Sequence, residues 1–326
     1  MRTIQTVTAI REALDEEFAR NPNTILIGED VGKMGSALGT SIGLLDKYGA
    51  DRIIDAPICE AVHASFSVGM AHAGKHVVLE YMLADFSSYG FDGIVNQMAK
   101  QRYLSAGKWK IPVTVRMPQG AGSLVAAHHD QSPEGWYTNV PGLKIAVPTT
   151  PYDCKGILKT AIRGDDPVLV FEPKYAYGLL GEVPDEGVDY TVPLGKARIV
   201  KEGTDVSIIG WQFALTVAGD LAEDLEEEGI SCELLDLVSL VPYDKEAILN
   251  TVKKTGHVVI VHEAPLRGGF GGEIASFIAE NAFADLKGPI VRVGSKNCPH
   301  PYGPAEEEIQ PSKKDIKKAI YKALGK

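Results

Sequence analysis

The sequence predicts an α/β protein with two domains and largely parallel sheets. Short apolar segments alternate with amphipathic ones along the whole chain, which is the pattern of strands joined by crossover helices. The chain has 326 residues, enough for two domains of ordinary size, ~100–200 residues each. Its 44% hydrophobic and 23% charged residues are typical of a globular protein.

Charge and hydropathy argue against two classes of partner. The chain carries 33 Lys+Arg against 43 Asp+Glu, a formal net charge of −10, whereas nucleic-acid binding requires a basic surface. No apolar run approaches the ~18 residues of a membrane-spanning helix, and the first residues lack the apolar centre of a secretory signal. The four cysteines form no CxxC pair and are predicted to be reduced thiols. We therefore expect a cytoplasmic protein that binds neither nucleic acid nor membrane.

In the first half, apolar runs predict strands, and apolar residues at helical spacing predict helices. A first helix is expected where Val7, Ile10, Leu14 and Phe18 recur. Strands are predicted at 25–27, 76–79, 112–115, 143–147 and 168–171, and helices over 60–74, 91–104 and 151–162. Thr150 is the expected cap of the last helix, because its hydroxyl can accept a hydrogen bond from the first turn.

Residues 173–203 interrupt this alternation. They are rich in Gly, Pro and acidic residues and show little helical periodicity, so we expect the crossing between domains here. Beyond it, strands are predicted at 206–209, 232–237, 257–262 and 290–293. Helices are predicted over 212–228 and 243–253. A third helix is expected after the glycine-rich turn, and a final one begins at Pro311. The sequence thus places a first domain at 1–188 and a second at 189–326.

The segment Asp55–Glu60 is the first candidate for a functional site. It lies between a strand and a predicted helix, and a carboxylate at a helix start is usually there because it suits the helix dipole. Open α/β sheets, however, bind ligands in the crevice beyond their strand ends. A partly desolvated Glu60 in that crevice would be suited to proton transfer.

A loop of small residues that ends in two histidines, residues 120–132, is the second candidate. Histidine transfers protons near neutral pH, and because adjacent side chains point in different directions, we expect at most one of His128 and His129 to be functional. A polar surface loop is the alternative interpretation. Metal binding is disfavoured, because no second cluster of ligands lies nearby in the sequence.

The glycine-rich turn Gly268–Glu273 is the third candidate. A strand, a glycine turn and a helix can together bind an anion. The turn does not satisfy GxGxxG, since Ile274 stands at the last glycine position, and a tight connection is the favoured interpretation. The remaining histidines are predicted to be structural: His63, His72, His76, His257, His262 and His300.

Several segments, taken in order, resemble the β subunit of the thiamine-diphosphate-dependent component of 2-oxo acid dehydrogenase complexes. That family includes the pyruvate and branched-chain types and the related acetoin dehydrogenases. The segments are residues 27–32, 55–60, 129–134, 141–144, 150–156, 161–167 and 232–237. The resemblance covers essentially the whole chain. It implies a pyrimidine-binding transketolase-like domain followed by a transketolase C-terminal-like domain.

The resemblance implies roles for individual residues. Glu60 matches the glutamate that hydrogen-bonds the aminopyrimidine ring of thiamine diphosphate and promotes the tautomer that deprotonates the thiazolium carbon. Phe86 and Ile58 match residues that lie near this ring, and Glu29 matches an acidic position on a buried proton path. His129 matches the histidine that serves transfer of the acyl group to the lipoyl arm of the next enzyme.

The resemblance also implies a structural potassium site built largely from main-chain carbonyls, which suit a hard cation. Its residues are Val113, Ala161, Ile162, Gly164 and Asp166. The chain departs from many relatives in two places, with Asp130 where Ser is common and Gly164 where an acidic residue is common. The first change is expected to alter hydrogen bonding around His129.

The chain has no Gly-Asp-Gly motif of the kind that holds magnesium and the diphosphate in thiamine-diphosphate enzymes. The resemblance therefore implies an α2β2 assembly in which a separate α subunit supplies the magnesium and diphosphate half of the site. It further implies docking to a lipoyl acyltransferase core. The predicted activity is decarboxylation of a 2-oxo acid, with pyruvate as the leading substrate, and acyl transfer to lipoamide.

Three alternatives stay open. The segment Gly178–Pro184 favours an acetoin dehydrogenase β subunit. An NAD-dependent oxidoreductase would use the glycine turn at 268–272, although the missing GxGxxG pattern counts against it. A non-catalytic assembly subunit would share the fold without an active-site role.

Overall fold

Parallel strands dominate both halves of the computed structural model, which describes residues 1–326. The chain divides into two compact units. The first contains residues 1–119 and 136–194, and the second contains residues 120–135 and 195–326. Each unit has its own sheet with helices packed against it, which confirms the predicted α/β class. None of the helices has both the length and the hydropathy that crossing a membrane requires.

The first unit is built on parallel strands that lie in the order β6-β7-β5-β4-β2-β3. Two further strands, β1 and β8, form a separate antiparallel pair. The strands are β1 Arg2–Gln5, β2 Thr24–Gly28, β3 Ile53–Asp55, β4 His76–Glu80, β5 Val113–Gln119, β6 Lys144–Ala146, β7 Val168–Pro173 and β8 Leu180–Val183. The helices are α1 Thr6–Arg20, α2 Leu44–Tyr48, α3 Glu60–His72, α4 Gln101–Leu104 and α5 Pro151–Arg163.

The second unit has a five-stranded sheet in the order β14-β13-β10-β11-β9, in which only β9 is antiparallel to its neighbour. The strands of this sheet are β9 Arg198–Lys201, β10 Val206–Gly210, β11 Cys232–Asp236, β13 Val258–Pro265 and β14 Val291–Ser295, and the short strand β12 Ser239–Val241 is not part of it. The helices are α6 Gln212–Glu227, α7 Lys245–Thr255, α8 Gly271–Asn281 and α9 Lys313–Leu324.

Apolar stripes on the helices form the two cores. In the first unit, Ile10, Leu14 and Phe18 of α1 pack with Leu158 and Ile162 of α5, as the helical spacing predicts. α5 begins where the sequence predicts, because the Thr150 hydroxyl accepts a hydrogen bond from the Asp153 amide. In the second unit, α6 and α9 cover the same sheet and share one core cluster.

The helix expected over 91–104 is not continuous. The chain forms a π-helical turn, Gly93–Met98, before the short α4. Gly93 packs directly on α3, where a Cβ atom would lie 2.6 Å from the Cβ of Ala64. The apolar residues of the predicted helix still face the core after this change of helix type, since Ile94 and Met98 are both buried.

The domain bounds 1–188 and 189–326 stay a prediction. The two units divide after Leu194, inside the segment 173–203 where the sequence predicts the crossing, and the first part of this segment belongs to the first unit. Its strand β8 pairs with β1. Residues 120–135 group with the second unit, although they leave the end of β5 in the first. The buried carboxylates of Glu263 and Glu306 in the second unit accept hydrogen bonds from the backbone of this segment.

Candidate functional site

The site in the first unit forms where three neighbouring strands end. β3, β2 and β4 lie side by side in parallel register, so that Gly28 faces both Asp55 and Glu80. The residues that follow these strands therefore meet at one carboxyl edge of the sheet, the usual ligand position in open α/β folds. Glu29 follows β2, and Glu60 follows β3 after a short connection.

Glu29 is a buried carboxylate with incomplete hydrogen bonding. One of its oxygens accepts a hydrogen bond from the backbone N–H of Cys59, while Oε1 has no partner. Burial raises the pKa of Glu29, and the neighbouring charge of Glu60 raises it further. The two carboxylates that sequence analysis singled out are therefore close enough to interact electrostatically.

Glu60 is the first residue of α3 and is half-buried. None of the hydrogen bonds or ion pairs within the chain engages its carboxylate. The main-chain carbonyl of Glu60 accepts a hydrogen bond from the Tyr81 hydroxyl at 3.0 Å. This contact fixes the start of α3 and leaves the carboxylate available to a ligand.

Tyr81 is a site residue that sequence analysis missed. It directly follows β4 and is 1% exposed. Burial raises the pKa of its hydroxyl, and the charges of Tyr137, Glu60 and Glu29 raise it further. The raised pKa keeps the Tyr81 hydroxyl protonated near neutral pH, so that it can donate its hydrogen bond to the Glu60 carbonyl. Its position just after a predicted strand was the only signal in the sequence, and it does not reveal the contact with Glu60.

The two apolar residues predicted near the cofactor ring differ in exposure. Ile58 precedes α3 and is 78% exposed. Phe86 is half-buried in the 3₁₀ turn Ala84–Ser88, and this turn packs against α3 and β5. The structure thus brings both residues to the elements that carry Glu60.

A buried ion cluster joins side chains of β4, β5 and β7 in the same sheet. Arg116 is fully buried and its guanidinium bonds the carboxylates of Glu80 and Glu172, the latter at 2.8 and 2.9 Å. The Tyr177 hydroxyl also bonds Glu172. In contrast with Glu29, both carboxylates here have charged and hydrogen-bonding partners, so the cluster is a structural support.

His129 lies in the second unit, on the segment 120–135. It is half-buried, whereas His128 is exposed. The His129 amide donates a hydrogen bond to the Ala126 carbonyl at 3.0 Å. Asp130, the residue that departs from many relatives, is fully buried and accepts a hydrogen bond from the Val125 amide at 2.8 Å.

Four of the residues predicted to bind potassium, Ala161, Ile162, Gly164 and Asp166, lie at or just after the end of α5, whereas Val113 is the first residue of β5. Gly164 caps the helix by donating its N–H to the Ala161 carbonyl, and the Ile162 carbonyl lies 3.0 Å from the His76 ring. Burial alone would raise the pKa of Asp166, but hydrogen bonds from Lys144 and Arg102 hold it below its usual value. The Asp166 carboxylate is thus already neutralised by two cations, and a ligand role would fall to main-chain oxygens.

The glycine-rich turn in the second unit packs on a buried histidine. A Cβ atom on either Gly269 or Gly271 would lie 2.6 Å from ring atoms of His262. The His262 ring stacks on Trp211 with centroids 5.2 Å apart, and burial lowers its pKa to about 4. The contact with His262 accounts for both glycines, whereas the positive φ expected of a tight connection occurs only at Gly268, at 73°.

Comparison with known families identifies both domains. Residues 2–178 match the pyrimidine-binding domain of transketolase, and residues 195–316 match the transketolase C-terminal domain. Among solved structures, a split-gene transketolase described as an inactive β4 tetramer superposes with a TM-score of 0.80 at 25% identity, covering 99% of this chain and 98% of that one.

Curated relatives span nearly the full chain. The chain is 39% identical to 2-oxoisovalerate dehydrogenase subunit beta 2, mitochondrial, of Arabidopsis thaliana, over 98% of this chain and 88% of that protein. It is 41% identical to the mitochondrial pyruvate dehydrogenase E1 component subunit beta of Dictyostelium discoideum, over 90% of this chain and 83% of that protein. It is 40% identical to acetoin:2,6-dichlorophenolindophenol oxidoreductase subunit beta of Cupriavidus necator, over 99% of this chain and 98% of that protein. The chain therefore belongs to the family of transketolase-like β subunits of 2-oxo acid, pyruvate and acetoin dehydrogenases.

Proposed function

We propose that this chain is the β subunit of a thiamine-diphosphate-dependent enzyme that decarboxylates a 2-oxo acid and passes the acyl group to lipoamide. The observation that carries the proposal is the pair of interacting carboxylates at one sheet edge, in which Glu60 is available to a ligand and Glu29 is buried with one oxygen unpaired. Pyruvate is the leading substrate.

The residues at this edge fit the aminopyrimidine half of the cofactor. Glu60 would hold and move a proton at a ring nitrogen, and Tyr81 fixes the backbone from which it acts. Ile58 and Phe86 would provide apolar contacts to the ring. The unpaired Oε1 of Glu29 gives the edge a second carboxylate that can share a proton. When bound, thiamine diphosphate supplies the carbon nucleophile and the electron sink that decarboxylation requires.

A separate α subunit would complete the site in an α2β2 assembly. The chain lacks Gly-Asp-Gly, so the diphosphate and its magnesium would be bound by the α subunit. The solved split-gene transketolase, described as an inactive β4 tetramer, supports the idea that such a chain alone is catalytically incomplete. His129 would serve acyl transfer to a lipoyl acyltransferase core, and a cytoplasmic location stays a prediction.

The potassium site is a further part of the proposal. Main-chain carbonyls of Val113, Ala161, Ile162, Gly164 and Asp166 would bind the ion, while the Asp166 carboxylate keeps its bonds to Lys144 and Arg102. Oxygen ligands of this kind suit potassium, and a carbonyl that accepts one hydrogen bond retains a second lone pair.

Acetoin cleavage is the second candidate. The acetoin:2,6-dichlorophenolindophenol oxidoreductase β subunit of Cupriavidus necator matches this chain over 98% of its own length. The identities to the three kinds of relative overlap, at 39–44% for the 2-oxoisovalerate type, 39–41% for the pyruvate type and 38–40% for the acetoin type, so they do not rank the substrates. An enzyme gains only ~1–3 kcal/mol of discrimination between two substrates that differ by one methylene. Small changes in the pocket can therefore change which 2-oxo acid is preferred.

The test is activity after co-expression with a candidate α subunit. The purified complex would be assayed with thiamine diphosphate, magnesium and an artificial electron acceptor on pyruvate, 2-oxobutyrate, branched 2-oxo acids and acetoin. We expect turnover of one class of substrate by the complex and none by either chain alone. A correctly assembled, cofactor-loaded complex that is inactive on every substrate would contradict the proposal.

A further inference from the structure

The segment that carries His129 adopts a backbone conformation that its own residues do not favour. Between residues 120 and 126, four positions have positive φ: Gly120 at 88°, Gly122 at 101°, Leu124 at 58° and Ala126 at 77°. The first two are glycines, for which this region is accessible. Leu124 and Ala126 are not, so the surrounding structure must hold them there.

A buried carboxylate from the C-terminal part of the chain holds this backbone. Glu306 is 2% exposed and lies in the 3₁₀ turn Gly303–Glu308. Its Oε1 accepts a hydrogen bond from the Gly122 amide at 2.7 Å, and its Oε2 accepts one from the Leu124 amide at 3.1 Å. Both oxygens of one side chain thus bind alternate amides of the strained segment. Hydrogen bonds to a charged acceptor are stronger than neutral ones.

Two neighbouring contacts extend this anchor. The Gly303 amide donates to the Leu124 carbonyl at 3.2 Å, and Val125 forms an antiparallel bridge with Tyr302. At the start of the segment, the buried carboxylate of Glu263 accepts a hydrogen bond from the Ala121 amide at 3.1 Å. Groups that are distant in the sequence, namely Glu263 and residues 302–306, therefore bind the backbone along residues 121–125.

The hydrogen bonds continue from this anchor to His129. Val125 directly follows the anchored residues, and its amide donates to the Asp130 carboxylate. The turn between them closes with the hydrogen bond from the His129 amide to the Ala126 carbonyl. His129 thus stands on a turn whose first end is fixed by Glu306 and whose second end is tied back by Asp130.

We infer that Glu306, assisted by Glu263, is a positioning residue that sets the place of His129 for acyl transfer. The inference rests on the proposed function of His129. Glu306 itself touches backbone amides of the segment, so it acts through His129. Loss of its charge and of one acceptor oxygen would release the left-handed residues and let the His129 turn move.

The test compares Glu306→Gln with Glu307→Gln in the co-expressed complex. Glutamine has one acceptor oxygen, and its NH₂ group would face an amide donor. Glu307 is exposed in the same turn and is the matched control. Hydrogen–deuterium exchange of the peptide covering residues 120–130 should become at least tenfold faster in Glu306→Gln and should not change in Glu307→Gln.

The kinetic readout is the ratio of lipoamide acylation to decarboxylation with an artificial acceptor. We expect this ratio to fall at least fivefold in Glu306→Gln, in the same direction as in His129→Ala, and to be partly restored in Glu306→Asp. If Glu306→Gln does not assemble, Glu306→Asp takes its place, with a smaller change expected in both readouts.

Two results would overturn the inference alone: unchanged exchange in the variant, or faster exchange with an equal loss of both activities. A wild-type complex without activity on any substrate would instead overturn the proposed function and with it the role in acyl transfer. The exchange experiment would still show whether Glu306 anchors the segment.

Discussion

Two pairs of glutamates in this protein show how differently one residue type can be used. In the first unit, Glu29 is buried with an unpaired oxygen and Glu60 has no partner in the chain for its carboxylate. In the second unit, the carboxylates of Glu263 and Glu306 are buried but accept hydrogen bonds from backbone amides. Burial alone therefore does not identify a reactive carboxylate, whereas a buried oxygen without a partner, such as Oε1 of Glu29, requires an explanation such as a catalytic role or a bound group.

The largest effect that would test this comparison is expected for Glu60→Gln. Proton transfer by a positioned side chain contributes 10²–10⁴-fold to rate in typical enzymes. We expect turnover of the reconstituted complex with an artificial acceptor to fall at least ~100-fold, because the amide cannot hold and return the proton. Glu186→Gln, at an exposed position, is the control. Normal turnover in Glu60→Gln would favour the non-catalytic assembly subunit.

The next effect concerns the glycine turn of the second unit, which we interpret as packing around His262. Gly271→Ala would place a Cβ atom 2.6 Å from the His262 ring, and overpacking of a core costs ~1–3 kcal/mol. Gly272→Ala is the matched control, since its Cβ would meet only Arg292 Nη1 at 3.2 Å. Urea unfolding should show a lower free energy of unfolding for Gly271→Ala alone. Equal stability of the two variants would argue against the packing role.

The smallest effect is the pH dependence of stability due to Glu29. Because its pKa is raised in the folded state, folded protein binds this proton more tightly than unfolded protein does. The resulting stabilisation is present below the ordinary glutamate value of ~4.3 and is lost as pH rises through the folded pKa. Relative to Glu29→Gln, the wild-type free energy of unfolding should therefore decline with rising pH in this interval.

Denaturant titrations of the wild type and Glu29→Gln at several pH values would measure this decline. Asp51→Asn, at an exposed position, controls for the loss of one acidic group. Parallel pH curves for wild type and Glu29→Gln would mean that Glu29 is as well solvated as an ordinary surface carboxylate, and the contrast between the two glutamate pairs would weaken.

Local signals in the sequence were sufficient for the elements and for part of the site. Apolar periodicity predicted α1 and α5, and the Thr150 cap was confirmed by its hydrogen bond to Asp153. The placement of Glu60 at a helix start after a strand was also predicted. The prediction of a continuous helix over 91–104 was wrong. The sequence around Gly93 does not indicate that this residue packs closely on α3.

Long-range contacts could not be predicted from local patterns. Gly122 and Glu306 are 184 residues apart in the sequence, so nothing around either residue indicates their hydrogen bond. The same holds for Tyr81, whose hydroxyl bonds a carbonyl 21 residues earlier. The roles given to Ile58, Phe86 and His129 came from the family resemblance and stay predictions.

The outer face of α3 has a consequence for how such a protein must be made. Its residues Val62 and Phe66 are 53% and 50% exposed, next to the exposed Ile58. Apolar patches of this kind promote association between chains. In free chains this face would be exposed, so self-association would compete with assembly into the proposed α2β2 complex. Balanced synthesis of the two subunits would then determine yield as strongly as the stability of either fold.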